Sequence, residues 1–323
     1  MSRAEAMPGL DAGNYRRHRL HGEETAWAEK NCYVDLWIEL AHTLGLEPLA
    51  MLGFTLAVDF EGDQWTFFKP SLSELRELYG IDVQEMTVWR PLLEHALEHL
   101  AAGKLISTEA DAFWLPDTAG TDYRSKHTKT TILMANLDRS AGRLGYFHNA
   151  GYFEVGGEDF AQLFRLDATP DPAFLPLFAE LVRLDRVVRR DKPELAAMAL
   201  ARLRQVLAWR PRTNPFGRFA ERFAQDLAPM REQGLAHYHA WAVASIRQAG
   251  AAFELAAAHL RWLEGSGQGA FGAAADSFDA ISQGNKALIL KGARAVHTGK
   301  PFDPRESMDA MARNWDEGMQ RLA

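Results

Sequence analysis

A change of composition near residue 170 constrains this chain more than any motif in it. Residues 172 to 323 are rich in Ala, Leu and Arg, as in "ELAAMALARLRQVL" and "GAAFELAAAHLRWLEG", with helical periodicity and almost no strand signal. The residues before them mix strand-like runs with capped helices. In a chain of 323 residues, this division predicts an α+β domain over 1 to 165 and an all-helical domain over 166 to 323. The Ala-rich helices suit a close-packed bundle with charged outer faces, which offers surface for a homodimer or a cover over a cleft.

Local punctuation divides the first part. From Asn31 a helical pattern begins, with Leu36, Leu40 and Leu44 on one face, Asn31 as N-cap and Gly45 as C-terminal stop. "FTLAVDF" and "QWTFFK" read as strands about a turn at Glu61-Gly62-Asp63. In "SLSELRELYG", Ser71 and Glu74 form a capping box and Gly80 ends the helix. Residues 91 to 102 form another helix, closed at Gly103. "LISTEADAFWL" and "HTKTTILMANLD" read as strands with the polar loop "PDTAGTDYRSK" between them, and "RLGYFHNAGYFEV" reads as one or two more after a turn at Ser140-Ala141-Gly142.

Composition excludes several functions. A net charge of −7 argues against a nucleic-acid or anionic-membrane surface. No apolar run has the length of a membrane span, and the N-terminus lacks the pattern of a signal peptide. One cysteine makes no internal disulfide and no cysteine-based zinc site, which fits a reducing cytoplasm.

That cysteine, Cys32 in "EKNCYVDLWIEL", opens a predicted helix. A helix N-terminus stabilises a thiolate and offers N–H groups to an oxyanion, although a lone cysteine is more often inert packing. His127 then opens a strand, and Asn149 follows after one strand and a turn. The order Cys, His, Asn is that of a papain-like thiol enzyme, with Cys32 as nucleophile, His127 as base and Asn149 as orienting amide. His148 competes for the third place, since neighbouring strand residues face opposite sides. The residue six before the cysteine is Ala26 rather than a glutamine, so Asn31 or Gln64 becomes the candidate oxyanion donor or orienting group.

"NCYVDLWIELAHTLGL", "DFEGDQWTFFKP", "DAFWLPDTAGTDYRSKHTKTTI" and "GYFHNAGYFE" together resemble an uncharacterised bacterial family of this length. More distantly they resemble the papain-like butirosin-pathway acyltransferase group, a cysteine domain followed by a helical one. That resemblance implies transfer of an aminoacyl or acyl group from the phosphopantetheine arm of a carrier protein to an amine or thiol, through acyl-Cys32. It implies no cofactor beyond that arm. The alternatives are a thiol hydrolase or amidase of the same fold, and a non-catalytic scaffold that binds a carrier protein or pathway enzyme.

Other signals are weaker. Trp65 and Trp114 could wall a substrate pocket, and Asp117 or Asp122 in the polar loop could meet a substrate amine. "HALEH" matches an inverted zinc-peptidase string, but its His95, Glu98 and His99 are expected on a solvated helix face, so no metal is expected. His237 and His239, two apart, have poor ligand spacing.

Overall fold

The computed structural model describes residues 2–169 and 176–323. Their strands are β1 (Arg3–Glu5), β2 (Phe60–Glu61), β3 (Gln64–Trp65), β4 (Asp82–Glu85), β5 (Leu105–Asp111), β6 (Lys129–Asp138), β7 (Arg143–His148), β8 (Gly151–Gly156) and β9 (Ala179–Arg183). The helices are α1 (Cys32–Thr43), α2 (Leu72–Tyr79), α3 (Leu92–Ala101), α4 (Gly157–Leu163), α5 (Lys192–Leu207), α6 (Pro215–Gln233), α7 (Leu235–Ala244), α8 (Ile246–Gly265), α9 (Gly272–Thr298) and α10 (Arg305–Gln320). The chain is thus α+β, with an antiparallel sheet and a helical C-terminal region.

Two units emerge, and neither is continuous in sequence. One contains residues 1–22, 32–46 and 75–189; the other contains 23–31, 47–74 and 190–323.

The first unit is built on a seven-stranded sheet ordered β4-β9-β5-β6-β7-β8, with β1 beside β6 and every pairing antiparallel. Helix α1 packs on β6, β7 and β8. Tyr33 through Ala41 are all buried, so α1 reads as apolar nearly all round because it is a core helix. Gly45, at φ 69°, ends it as the sequence predicts, with Leu46 N–H donating to Ala41 O at 2.9 Å. The predicted helices α2 and α3 and the strands β5 to β8 all form.

Two elements differ from the sequence reading. "FTLA" is not a strand but the end of a 3-10 stretch, Pro48–Ala57, started by Pro48 and capped by Glu47, whose Oε1 accepts from Leu49 N–H at 3.1 Å. A short apolar run has no period to separate strand from helix, so packing decides. The second is β9, "AELVR", which pairs with both β4 and β5 inside the sheet. It lies beyond the boundary expected at 165, and the linker "LDATPDP" before it runs into 170–175, outside the described residues.

In the second unit α8, α9 and α10 pack in sequence, α6 packs on α10, and the 3-10 stretch lies against α5 and α8. Trp65, on the small β2–β3 hairpin, is buried against Phe60, Phe216 and Phe219. Its aromatic character is therefore used in core packing rather than in a pocket wall.

Candidate functional site

In the first unit, strand register fixes which side chains share a face. Ser107 of β5 pairs in register with Glu180 of β9, and its hydroxyl donates to Glu180 Oε2 at 2.9 Å. Tyr33, the second residue of α1, donates to both oxygens of the same carboxylate at 3.1 Å. The first turn of α1 therefore meets the sheet at Ser107. Period-two alternation puts Glu109 and Asp111 on this α1-facing side, with Asp111 about 13 Å further along β5. Opposite them in register lie Lys129, Thr131 and Leu133 of β6, and Leu133 pairs with Phe147 of β7.

His127 lies just before β6, and its Nδ1 bonds Asp111 Oδ2 at 2.6 Å. Phe113 stacks on the imidazole, 4.3 Å between centroids and 14° from parallel. Asp111 is itself fixed, its Oδ1 accepting from Phe113 N–H at 3.1 Å. With Nδ1 held by a carboxylate, Nε2 is the nitrogen left to exchange a proton. The ring is 68% exposed, so a substrate can reach it. Cys32, part-exposed, opens α1.

The structure thus brings His127 to Asp111, not to Asn149. Asn149 lies in the two-residue turn joining β7 to β8, at φ 41°, between the paired residues His148 and Gly151. Asn is among the few non-glycine residues that accept the left-handed region, and such hairpin turns require it. Its place in "YFHNAG" therefore has a turn-forming cause. The order Cys, His, Asn points beyond His127 for the third residue, whereas Asp111 precedes it in the chain. The available signal was the β5–β6 pairing itself, which puts the end of "LISTEAD" beside the start of "HTKTTI".

His148 faces the opposite side of the sheet. It is buried, with Nδ1 on Asp117 Oδ2 at 2.5 Å and Nε2 on Thr130 Oγ1 at 2.7 Å. Tyr146 donates to the other oxygen of Asp117 at 2.5 Å. This network ties the loop after β5 to the sheet and leaves His148 no path to His127 across the pleat. Asp117 is buried within it, its side chain 2% exposed, which removes it as a substrate contact. Asp122 accepts from Thr128 Oγ1 at 2.7 Å, and Tyr123 OH donates to Asp159 of α4 at 2.8 Å, so the polar loop is pinned. Trp114 lies edge-on to Phe113 with Arg124 over its ring at 4.7 Å.

Under the start of α1 lies a cluster that the sequence reading did not single out. His21 is fully buried, with Nε2 3.0 Å from Asp35 Oδ1 and Nδ1 on Glu39. Burial alone would discharge the imidazolium, but Asp35 and Glu39 outweigh it and raise its pKa to about 9. Tyr15 OH, at 2.5 Å, and His18 N–H, at 3.0 Å, also donate to Glu39. His18 goes the other way: burial, aided by His42, lowers it to about 4.

The remaining candidates fall in the second unit or away from the dyad. Asn31 is buried, its amide donating to Phe68 O at 2.9 Å. Gln64 forms part of β3 and is exposed. His95 is buried, with Trp89 edge-on at 5.9 Å, not on the solvent side as its spacing suggests. Its ring stacks on that of His99 at 6.3 Å between centroids, and desolvation lowers the pKa of both. Among the described residues no group of three His, Cys, Asp or Glu could hold a metal ion, and no helix is long and apolar enough to cross a membrane.

Residues 16–184 match the DUF1839 N-terminal domain, and residues 192–323 match the DUF1839 C-terminal domain. No curated protein matches the sequence. Two adjoining matches cover most of the chain, and the chain belongs to this family.

Proposed function

For this member of the DUF1839 family, we propose a cysteine-dependent acyltransferase on a papain-like first unit, with Cys32 as nucleophile, His127 as base and Asp111 as orienting carboxylate. The observation that carries the reading is the 2.6 Å bond from an exposed His127 to a fixed Asp111. Both lie on the sheet face against which the helix opened by Cys32 packs. The resemblance of the Cys32, His127 and "DAFWLP" segments to the butirosin-pathway group supports a carrier-protein thioester as donor, although the third residue here precedes the histidine.

The chemistry balances in two steps. His127 Nε2 takes the Cys32 proton, and the thiolate attacks the thioester carbonyl. The carbon–sulfur bond to the phosphopantetheine breaks, and the leaving thiol recovers the proton from His127. An amine then attacks acyl-Cys32 and gives its proton through His127 to the departing Cys32 sulfur. N–H groups at the start of α1 are suited to hold each oxyanion. With water in place of the amine the same site is a thioesterase, which product analysis with and without amine distinguishes.

The test is mass spectrometry of the intact chain after exposure to an acyl or aminoacyl thioester of a carrier protein. The expected result is one acyl group on Cys32, absent in Cys32→Ala, with iodoacetamide labelling of the same residue at neutral pH. Acylation elsewhere, or undiminished transfer by Cys32→Ala, would overturn the reading. His127→Ala should slow acylation by about 10²- to 10⁴-fold.

A further inference from the structure

The chain is acidic overall, yet residues 192 to 222 carry seven basic and two acidic side chains. Several of the arginines are used internally: Arg218 pairs with Asp59 and Arg222 with Asp226. Arg204, on α5, and Arg212, just before α6, are exposed and pair with no carboxylate among the described residues. Between them Trp209 is 84% exposed. It is not on a loose loop. Its N–H donates to Val206 O at 2.8 Å, Arg210 Nη1 donates to Leu207 O at 3.0 Å, and Asn214 caps the next helix by accepting from Phe216 N–H at 3.0 Å.

An indole held out into water on an ordered turn, with Arg204 before it and Arg212 after it in sequence, has the composition of a binding hot spot. Trp and Arg dominate such sites, Trp by burying a large rigid surface and Arg by pairing with carboxylate or phosphate. On a chain whose net charge is −7, a locally basic stretch favours the approach of an acidic partner.

We infer that Trp209, Arg204 and Arg212 form the docking surface for an acidic carrier protein bearing a phosphopantetheine thioester. The inference takes its donor from the acyltransferase reading above, but it is judged by binding rather than by turnover. The negative residues of the partner pair with Arg204 and Arg212 while an apolar side chain covers Trp209.

The experiment uses the full chain in the Cys32→Ala form and a phosphopantetheine-bearing acidic carrier protein, with affinity measured by calorimetry. The double variant R204E/R212E and the single variant Trp209→Ala, each with an unchanged circular dichroism spectrum, should bind at least about tenfold more weakly. Binding by the parent should also weaken as salt is raised. Equal affinities in parent and variants, no binding by the parent, or binding of anionic vesicles in preference to the carrier protein would each overturn the surface. Acylation of Cys32 by a small pantetheine thioester, measured in the Cys32-containing chain, reports on the active site separately. If it fails while docking depends on Trp209, the acyltransferase reading falls and the surface stands. If it succeeds while the variants dock normally, the reverse holds.

Discussion

His21 shows how residues that look ordinary in sequence acquire opposed charges on folding. Held between Asp35 and Glu39, it keeps its proton up to about pH 9, whereas an unfolded histidine loses its proton near about 6.5. Its stabilisation is therefore complete below the unfolded value and is lost as pH rises through 9. His18 and His259, each lowered to about 4 by burial, act in the opposite sense. They are neutral in the fold, so stability falls as pH drops from the unfolded value toward 4. Urea midpoints across pH should peak near about 6.5, with losses on both sides. His21→Ala should cost about 3–5 kcal/mol at neutral pH, since it leaves two buried carboxylates without their cation. A flat pH profile would show that the cluster is not charged as described. Asn149 and Asp111 separate turn from site: Asn149→Gly should keep wild-type transfer, while Asp111→Asn should lower it by about 10²-fold.

At the scale of elements, two helix-ending glycines look alike in sequence and differ in the fold. Gly45 ends α1 at φ 69° with open space around the position of an added methyl. Gly80 ends α2 at φ 72°, and a Cβ there would lie 1.9 Å from Arg186 O. Gly45→Ala should cost only the left-handed backbone strain, about 1–2 kcal/mol. Gly80→Ala must also displace the backbone that leads out of β9, and should cost about 3 kcal/mol or more. Denaturant midpoints of the two variants check this, and equal losses would contradict it. Both helix ends were legible because capping and stop signals act locally. The strand β9 was not, because five residues of mixed polarity gain a partner only when β4 and β5 lie on either side of them.

At the scale of the molecule, the units exchange segments that the family boundaries keep together. The 3-10 stretch Pro48–Ala57 comes from the first matched region but lies against α5 and α8 in the second unit. Residues 192–323 expressed alone lack that stretch, and also lack Trp27, whose Nε1 donates to Ser282 Oγ at 2.9 Å. Such a fragment should bind a hydrophobic dye and lose near-ultraviolet dichroism while staying helical. Cooperative unfolding of the isolated fragment, with native near-ultraviolet signal, would refute this.

By itself the sequence determined what short-range physics controls: helix ends at Asn31, Gly45, Ser71 and Gly80, and the change from mixed to helical composition. It also marked His127 as the opening of a strand after a polar loop. Only the tertiary structure decided that Asp111 meets His127, that His148 turns away to Asp117 and Thr130, and that His95 is buried. These outcomes depend on register and pleat, which set faces and neighbours across strands distant in sequence. No local pattern carries that information, since a one-residue shift would reverse every face while leaving the sequence unchanged.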